Sequence, residues 1–540
     1  MAPDNSKLIV SALIKTAPQL AGGTNAQDDF AEVLKQFGAR VTLYRQYEEG
    51  EHRGSMTNKM REMLRLQADD TGINDFNSNY CSIVVDKFAG RLEVVDLRLK
   101  DEAITTNWLK PLLEENDWTS LQVSTYRAAV RDGETYVMVD PTDLSWKSEP
   151  AYNGYTGMVC IFEDDMTPIW ACKIVRTGAT PELPFDADVN EVMELTVYQP
   201  GSITKWAGIA NSTEVFALNR YPVPIEPTDM GNGFSEVEVV LGNAIPWPLD
   251  KVPVVRFLNK FDNYDTVGRS ELRPAIPLQD ALNRTLHSMV SASEFSAFSI
   301  KYSIGIPIDP VDITPGGVVN LLVTSEDSDE PIISEEASKF LNAARVGEFK
   351  ASPMDEYITQ IQQIVKEISQ VTSTPIYGVT TTGVLSGEAL KQLEIGLVTK
   401  CRRFQRSNTD SIRELVELTS EIQANIAPID ESLPIIEPFS SEDVIVVWKP
   451  PELVDETATI ATLINLRSQA PGLFSDTFYR TKIAEMLHIN TADVEQDAER
   501  IKKDPAEIEN QAPAQKTGPD KTAVPGDNSM GGVATQRSRP

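Results

Sequence analysis

The sequence predicts an α+β chain of several domains, and three observations carry that reading. Apolar residues recur at helical spacing over 28–68 and again after 275, while between Thr135 and Leu258 the period changes to two. An uncharged stretch, Ser369 to Gly387, is framed by two strong helical patterns. At 540 residues the chain exceeds a single core, so two to four domains are expected, and its 41% apolar residues supply material to bury.

Taken in order, residues 1–24 read as an N-terminal arm for which flexibility is one reading. From Asp28 to about Ala68 the pattern is helical, with Phe30, Val33, Leu34 and Phe37 on one stripe. Ile83, Val84, Phe88 and Leu92 mark a second helix within 77–92, and a third, over 119–131, leads into the strand TYVMVD. The runs MVCIFEDD, WACKIVRT, VMELTVYQ, SITKWAG and VEVVLG alternate and are separated by Gly, Pro, Asn and Asp turns. They predict an antiparallel sheet, closed by VPVVRFLN at 252–259.

A helix over 275–299 places Leu278, Leu282, Leu286 and Met289 together, with Pro277 tolerated in the first turn. Two short strand patterns, SIGIPI and VVNLLVT, lie within 301–331, before an acidic loop. Helix resumes at Met354 with Ile358, Ile361, Val365, Ile368 and Thr372. After the uncharged stretch, Ser386 is a good N-cap and Glu388 sits in the first turn, where the helix dipole favours a carboxylate. Leu390, Leu393, Leu397, Cys401, Phe404, Ile412, Leu415 and Ile422 then predict one helix to Asn425, on the order of 58 Å long at ~1.5 Å per residue. EDVIVVWKPPE, at 442–452, is an isolated strand that must pair far upstream; two helical segments follow it, and 506–540 is expected to be disordered.

Eighty acidic against 49 basic residues give a formal charge of −31, which argues against stable wrapping of a phosphate backbone; solubility alone also accounts for it. Cys81, Cys160, Cys172 and Cys401 have neither zinc-site nor disulfide-framework spacing, which fits a reducing compartment. No apolar run approaches the ~18 residues a spanning helix needs, so a soluble cytoplasmic product without membrane partners is expected.

The tools of an enzyme are hard to find. No phosphate-binding P-loop occurs, and DMGNGF lacks a third glycine, which excludes a nucleotide-driven motor. His52, His287 and His488 lie far apart without ligand spacing and read as packing or solvated residues. The acidic runs at 163–165 and 325–330 could hold a divalent cation but read more simply as solvated loops. No cofactor or metal is expected. One run, KCRRFQRS, has the look of a nucleic-acid contact. On a helix, however, Cys401 and Phe404 fall on the buried stripe and Arg402, Arg403 and Arg406 flank it, so pairing with acidic groups of a neighbouring helix or subunit is preferred.

In their order, NxxYCSIVVDKFAGRL, VPVVRFLN, GRSELRPAIPLQDALNRTL and TTTGVLSGEALKQLE, with the long basic helix after it, resemble the portal proteins of long-tailed double-stranded DNA bacteriophages over about 40–505. The resemblance implies a non-enzymatic, head-to-tail connector subunit of the virion: a portal-like α+β chain with a mixed wing, a two-helix stem, a small clip, a long helix and a helical crown. It also implies a ring, usually of twelve, at one capsid vertex, through whose channel DNA passes without sequence specificity during packaging and ejection. Its implied partners are the terminase large subunit, the major capsid protein, the scaffold and a head-completion or neck adaptor protein, with assembly in the host cytoplasm.

Carried onto this chain, the resemblance makes 25–274 the wing, 275–299 and 354–372 the stem helices, and 300–353 the clip. It makes 373–386 the tunnel loop, 387–425 the long wing helix, 426–452 a return strand to the wing, and 453–505 the crown. The expected channel residues are Val379, Thr380, Thr381, Thr382, Gly383 and Val384, with Gly378 and Ser386 as hinges: a duplex presents a charge about every 1.7 Å, so a neutral loop neither grips nor obstructs it. Glu326, Asp327, Asp329 and Glu330 are candidates for docking at the clip. Lys400, Arg402, Arg403 and Arg406 form a cluster open to either DNA or a neighbouring subunit. Two other readings stand beside this one: a metal-dependent DNA-processing enzyme using the 163–165 and 325–330 acids with magnesium, and a simple capsid or scaffold component without a DNA channel.

Overall fold

The computed structural model describes residues 4–52, 77–140, 143–163, 167–177, 192–213, 215–218, 245–246, 249–260, 267–297, 301–304, 318–320, 345–348, 354–376, 387–426, 436–452 and 456–469, together with 475, 478, 479, 482 and 483. Residues 1–452 form one unit and 453–540 another.

The first surprise lies at the start. In place of a flexible arm, α1 (Ser6–Thr16) and α2 (Pro18–Ala21) are packed helices. Leu8, Ile9 and Leu13 are buried against Trp170, Ile174, Leu195 and Val197. The Asn5 amide donates to the Gly154 carbonyl at 2.7 Å, and Lys15 Nζ to the Val215 carbonyl at 2.6 Å. The physical reason is that a half-apolar sheet needs cover, and KLIVSALI supplies an apolar face at helical spacing. α3 (Thr24–Glu49) follows; the expected continuation to Ala68 falls outside the described residues.

That covered sheet is antiparallel, in the order β4 (Gly157–Phe162), β5 (Pro168–Thr177), β6 (Val192–Gln199), β7 (Ser202–Ile209), β8 (Val215–Leu218), with β9 (Ile245–Pro246) also on β7. A separate three-stranded sheet has the order β10 (Val254–Leu258), β2 (Glu134–Val139), β3 (Trp146–Pro150). Among the described residues the period-two region therefore builds two sheets, not the single one expected; the run VEVVLG falls outside them. Strand β2 is buried at every position, which is why TYVMVD reads as an apolar run.

On the smaller sheet pack α7 (Trp118–Asp132) and the 40-residue α10 (Gly387–Ile426), while α4 (Tyr80–Ala89) packs on α7 and α3. Between α4 and α7 run β1 (Val94–Leu99), the short α5 (Glu102–Ile104), a single wide turn at Thr105–Leu109 and α6 (Lys110–Glu115). Tyr126 is the hub: its ring lies 5.7 Å from Phe404, 5.4 Å from Trp448 and 6.2 Å from Phe257. β14 (Val444–Trp448) pairs antiparallel with β1, so the isolated late strand finds its partner some 350 residues upstream.

α8 (Ile276–Ala297) and α9 (Met354–Val371) pack on each other, burying Leu282, Val365 and Ile368 with Leu278, Leu286, Ile361 and Ile364 half-buried around them. Between them β11 (Lys301–Ile304) pairs parallel with β12 (Val318–Asn320) and antiparallel with β13 (Arg345–Glu348), a third strand without a signal in the sequence. The second unit contains α11 (Glu456–Gln469) and an edge-to-face pair of Phe478 and Tyr479. Among the described residues no helix is long and apolar enough to cross a membrane.

Candidate functional site: the base of the neutral loop

The expected channel and hinge residues Gly378, Val379, Thr380, Thr381, Thr382, Gly383, Val384 and Ser386 lie outside the described residues, as do the docking candidates Glu326, Asp327, Asp329 and Glu330. The described site is what holds the loop: Thr372 to Ile376 on one side and the start of α10 on the other.

The chain leaves α9 through a tight, hydrogen-bonded turn. Thr372 Oγ1 donates to the Ile368 carbonyl at 2.7 Å, the Thr374 amide to the Ser369 carbonyl at 3.0 Å, and Ser369 Oγ to the Thr374 carbonyl at 2.8 Å. Ser373 takes a left-handed conformation, φ 48°, which costs a non-glycine residue roughly 1–2 kcal/mol. Tight packing compensates: Thr372, Thr374 and Ile376 are buried. A Cβ on Gly396 of α10 would come within 3.1 Å of Ser373 Cβ, so glycine lets the helix and the turn approach.

Two lysines then fasten this turn. Lys400 Nζ donates to the Thr372 carbonyl at 2.5 Å and Lys87 Nζ to the Pro375 carbonyl at 2.5 Å. Lys400 sits where the C-terminal carbonyls of α9 carry partial negative charge, an arrangement worth about 0.3–1 kcal/mol, and Lys87 holds the chain four residues beyond the helix. Lys400 also pairs with Glu271 Oε2 at 2.9 Å and stands over the Phe88 ring at 4.7 Å. Glu271, wholly buried, takes Lys260 on its other oxygen at 2.9 Å, and the Asn259 side-chain amide donates to that oxygen at 3.3 Å. Burial alone would raise the Glu271 pKa, but Lys400 and Lys260 outweigh it and hold the carboxyl below its ordinary range. Burial lowers the Lys400 pKa, and Glu271 offsets this only in part.

Farther along α10, Asn408 closes the free edge of β10. Its Oδ1 accepts from the Leu258 amide and its Nδ2 donates to the Leu258 carbonyl, both at 2.9 Å. Near the helix start, Arg91 grips the buried Glu394 at 2.8 Å and the Pro451 carbonyl at 3.1 Å. The helix that emerges from the neutral loop is thus keyed into α4, β10 and the turn after α9 at once.

The basic cluster divides. Lys400 is an internal strut, and Arg402 pairs with Glu452. Arg403 and Arg406 are exposed and make no ion pair with a described residue. They border a cavity of about 350 Å³ with Lys260, Glu271, Lys400 and Phe88. His52 is buried, its Nδ1 2.7 Å from the Asn283 side-chain nitrogen, and His287 is buried in α8; His488 falls outside the described residues. Glu163 is described, whereas Asp164, Asp165 and the 325–330 run are not. Sequence reasoning missed Lys87, Glu271 and Asn408 because Pro375, Lys400 and Leu258, which they meet, are far away in the chain, and missed Lys260 because its pairing with the nearby Glu271 depends on how the intervening loop folds back. The nearest signal was the acid in GRSEL, followed by the apolar and helical text of α8.

A mixed α+β chain with paired helices, a small sheet between them and one long helix has the parts of a connector subunit, and the sequence comparison agrees: the family described as "Phage portal protein, SPP1 Gp6-like" matches residues 41–511. The chain belongs to that phage portal protein family, which is one of structural assembly components. Among solved structures it is similar to a chain in "Neck of empty GTA particle computed with C6 symmetry", at 10% identity and TM-score 0.32, covering 81% of this chain and 95% of that one. A chain in "Neck of native GTA particle computed with C12 symmetry" is similar at 11% identity and TM-score 0.31, covering 74% and 87%. No curated protein matches it.

Proposed function

We propose that the chain is the subunit of a closed ring, of twelve copies in the virion, at one capsid vertex, through which double-stranded DNA is packaged and later ejected. In this reading α8 and α9 are the stem. Residues 300–353 form the clip that meets the terminase large subunit and then the neck adaptor, and 373–386 form the loop that reaches into the channel. The wing meets the capsid and scaffold, and 453–505 is the crown.

The observation that carries the reading is the fastening of the loop's base. An uncharged segment touching a moving polyanion must give at its tip yet be held firmly at its root, because axial drag is transmitted there. The Lys400–Glu271–Lys260 bridge, centred on the buried Glu271, and the Lys87 contact ground the root in the subunit's core. A connecting loop in a rigid monomer would have no need of two lysines on its first backbone carbonyls.

The first test is electron microscopy of the purified chain: rings with an open channel wide enough for a duplex are expected, and monomers at high concentration count against the proposal. The second is Thr381→Asp in assembling particles. A carboxylate at the constriction should leave rings intact and lower packaged DNA, whereas unchanged genome content would remove 373–386 from the channel.

A further inference from the structure

We propose that the cavity bordered by Arg403 and Arg406 is a socket for a carboxylate side chain of a second copy of this chain, and so a specific contact of the ring; the proposal rests on the ring reading above. Four cations, Lys260, Lys400, Arg403 and Arg406, face a single carboxylate, Glu271, around about 350 Å³ of open space. Glu271 is already committed, with Lys260 on one oxygen and Lys400 on the other. The two arginines remain without a counter-ion among the described residues, one helical turn apart and exposed. Like charges so spaced repel, and the position costs the isolated subunit stability that a shared carboxylate would restore.

Charge chooses the occupant. In a chain of 80 acidic and 49 basic residues, an unpaired arginine pair is the scarce partner and carboxylates are in excess, so a second copy brings the complementary group wherever its acidic surface meets this face. Duplex DNA fits less well, because a recess of about 350 Å³ seats a single side chain, whereas a duplex binds through phosphates spaced along an extended surface. Guanidinium also suits a carboxylate geometrically, because its planar fork can donate two parallel hydrogen bonds to one carboxylate. A ring needs such a heterologous contact, in which one surface meets a different surface of the next copy.

The test uses the full chain. Arg403→Glu with Arg406→Glu should raise the concentration for half-assembly of rings about tenfold or more, while Arg402→Gln, at the arginine paired with Glu452, should leave it unchanged. Separately, Arg403→Lys followed by zero-length carbodiimide coupling should join that position to an Asp or Glu of another copy, identified by peptide mass mapping. Both variants alter exposed positions, and Arg403→Gln with Arg406→Gln, checked by thermal melting, separates misfolding from lost contact. Rings that form from the double reversal with unaltered concentration dependence overturn the socket alone. Unaltered rings with weakened binding of a random-sequence duplex overturn it in favour of DNA. No rings from the unsubstituted chain sink the ring reading, and this proposal with it.

Discussion

Lys400 and Glu271 show how one pair can decide the character of a site. Glu271 is buried and Lys400 half-buried, and each would be costly alone; together with Lys260 they become a strut between α10 and the turn after α9. Lys400→Met is expected to lower stability by about 3–5 kcal/mol, because it strands a buried carboxylate and unties the Thr372 carbonyl; the shift of the unfolding midpoint measures it. The same pair sets a pH signature. The Glu271 pKa is depressed below the ordinary 4.5, so its contribution is fully present above that pH and is lost as pH falls through the lower folded value. The melting-temperature gap between the unsubstituted chain and Glu271→Gln should therefore be widest above about pH 5 and close in stronger acid. A gap that widens on acidification would contradict the assignment. The basic run was visible in the sequence, but which of its members turns inward was not. Helical spacing puts Lys400 next to the apolar stripe, yet only Glu271, 129 residues away, makes its burial tolerable.

At the scale of elements, α10 stabilises the fold by satisfying other elements' backbone as well as by its apolar stripe. Asn408→Ala should cost about 2 kcal/mol, since it leaves an amide and a carbonyl of β10 unpaired next to a buried helix, and protection of the Leu258 amide from hydrogen exchange should fall. In the α8–α9 pair, Ile368→Glu would place a charge where no side chain meets water and should abolish folding or assembly, with solubility on expression as the readout. Helices with long, strict periodicity were legible to within a residue or two: 275–299 against Ile276–Ala297, 354–372 against Met354–Val371, 387–425 against Gly387–Ile426. Strands were legible as strands but not as partners. Pairing is non-local, so the division into two sheets, the parallel β11–β12 pair and the β1–β14 pair depend on contacts that no local window contains.

For the molecule as a whole, the N-terminal residues matter more than their sequence suggested. Removing residues 1–21 would uncover Trp170, Ile174 and Leu195 on one face of the six-stranded sheet. The truncated chain is expected to bind a hydrophobic dye strongly and to melt at lower temperature; an unchanged melting curve would show that α1 is an accessory. By itself, the sequence determined the α+β class, the run of long helices and the neutrality of 369–387, because periodicity and charge are local properties of the chain. It also carried, in the order of its motifs, the portal family. Only the tertiary structure decided that residues 6–21 cover a sheet, that Lys400 is a strut while Arg403 and Arg406 face outward, and that the root of the neutral loop is fastened to the core. Those outcomes turn on which distant groups share a low-dielectric interior, and a buried charge is placed by the partner that folding brings to it.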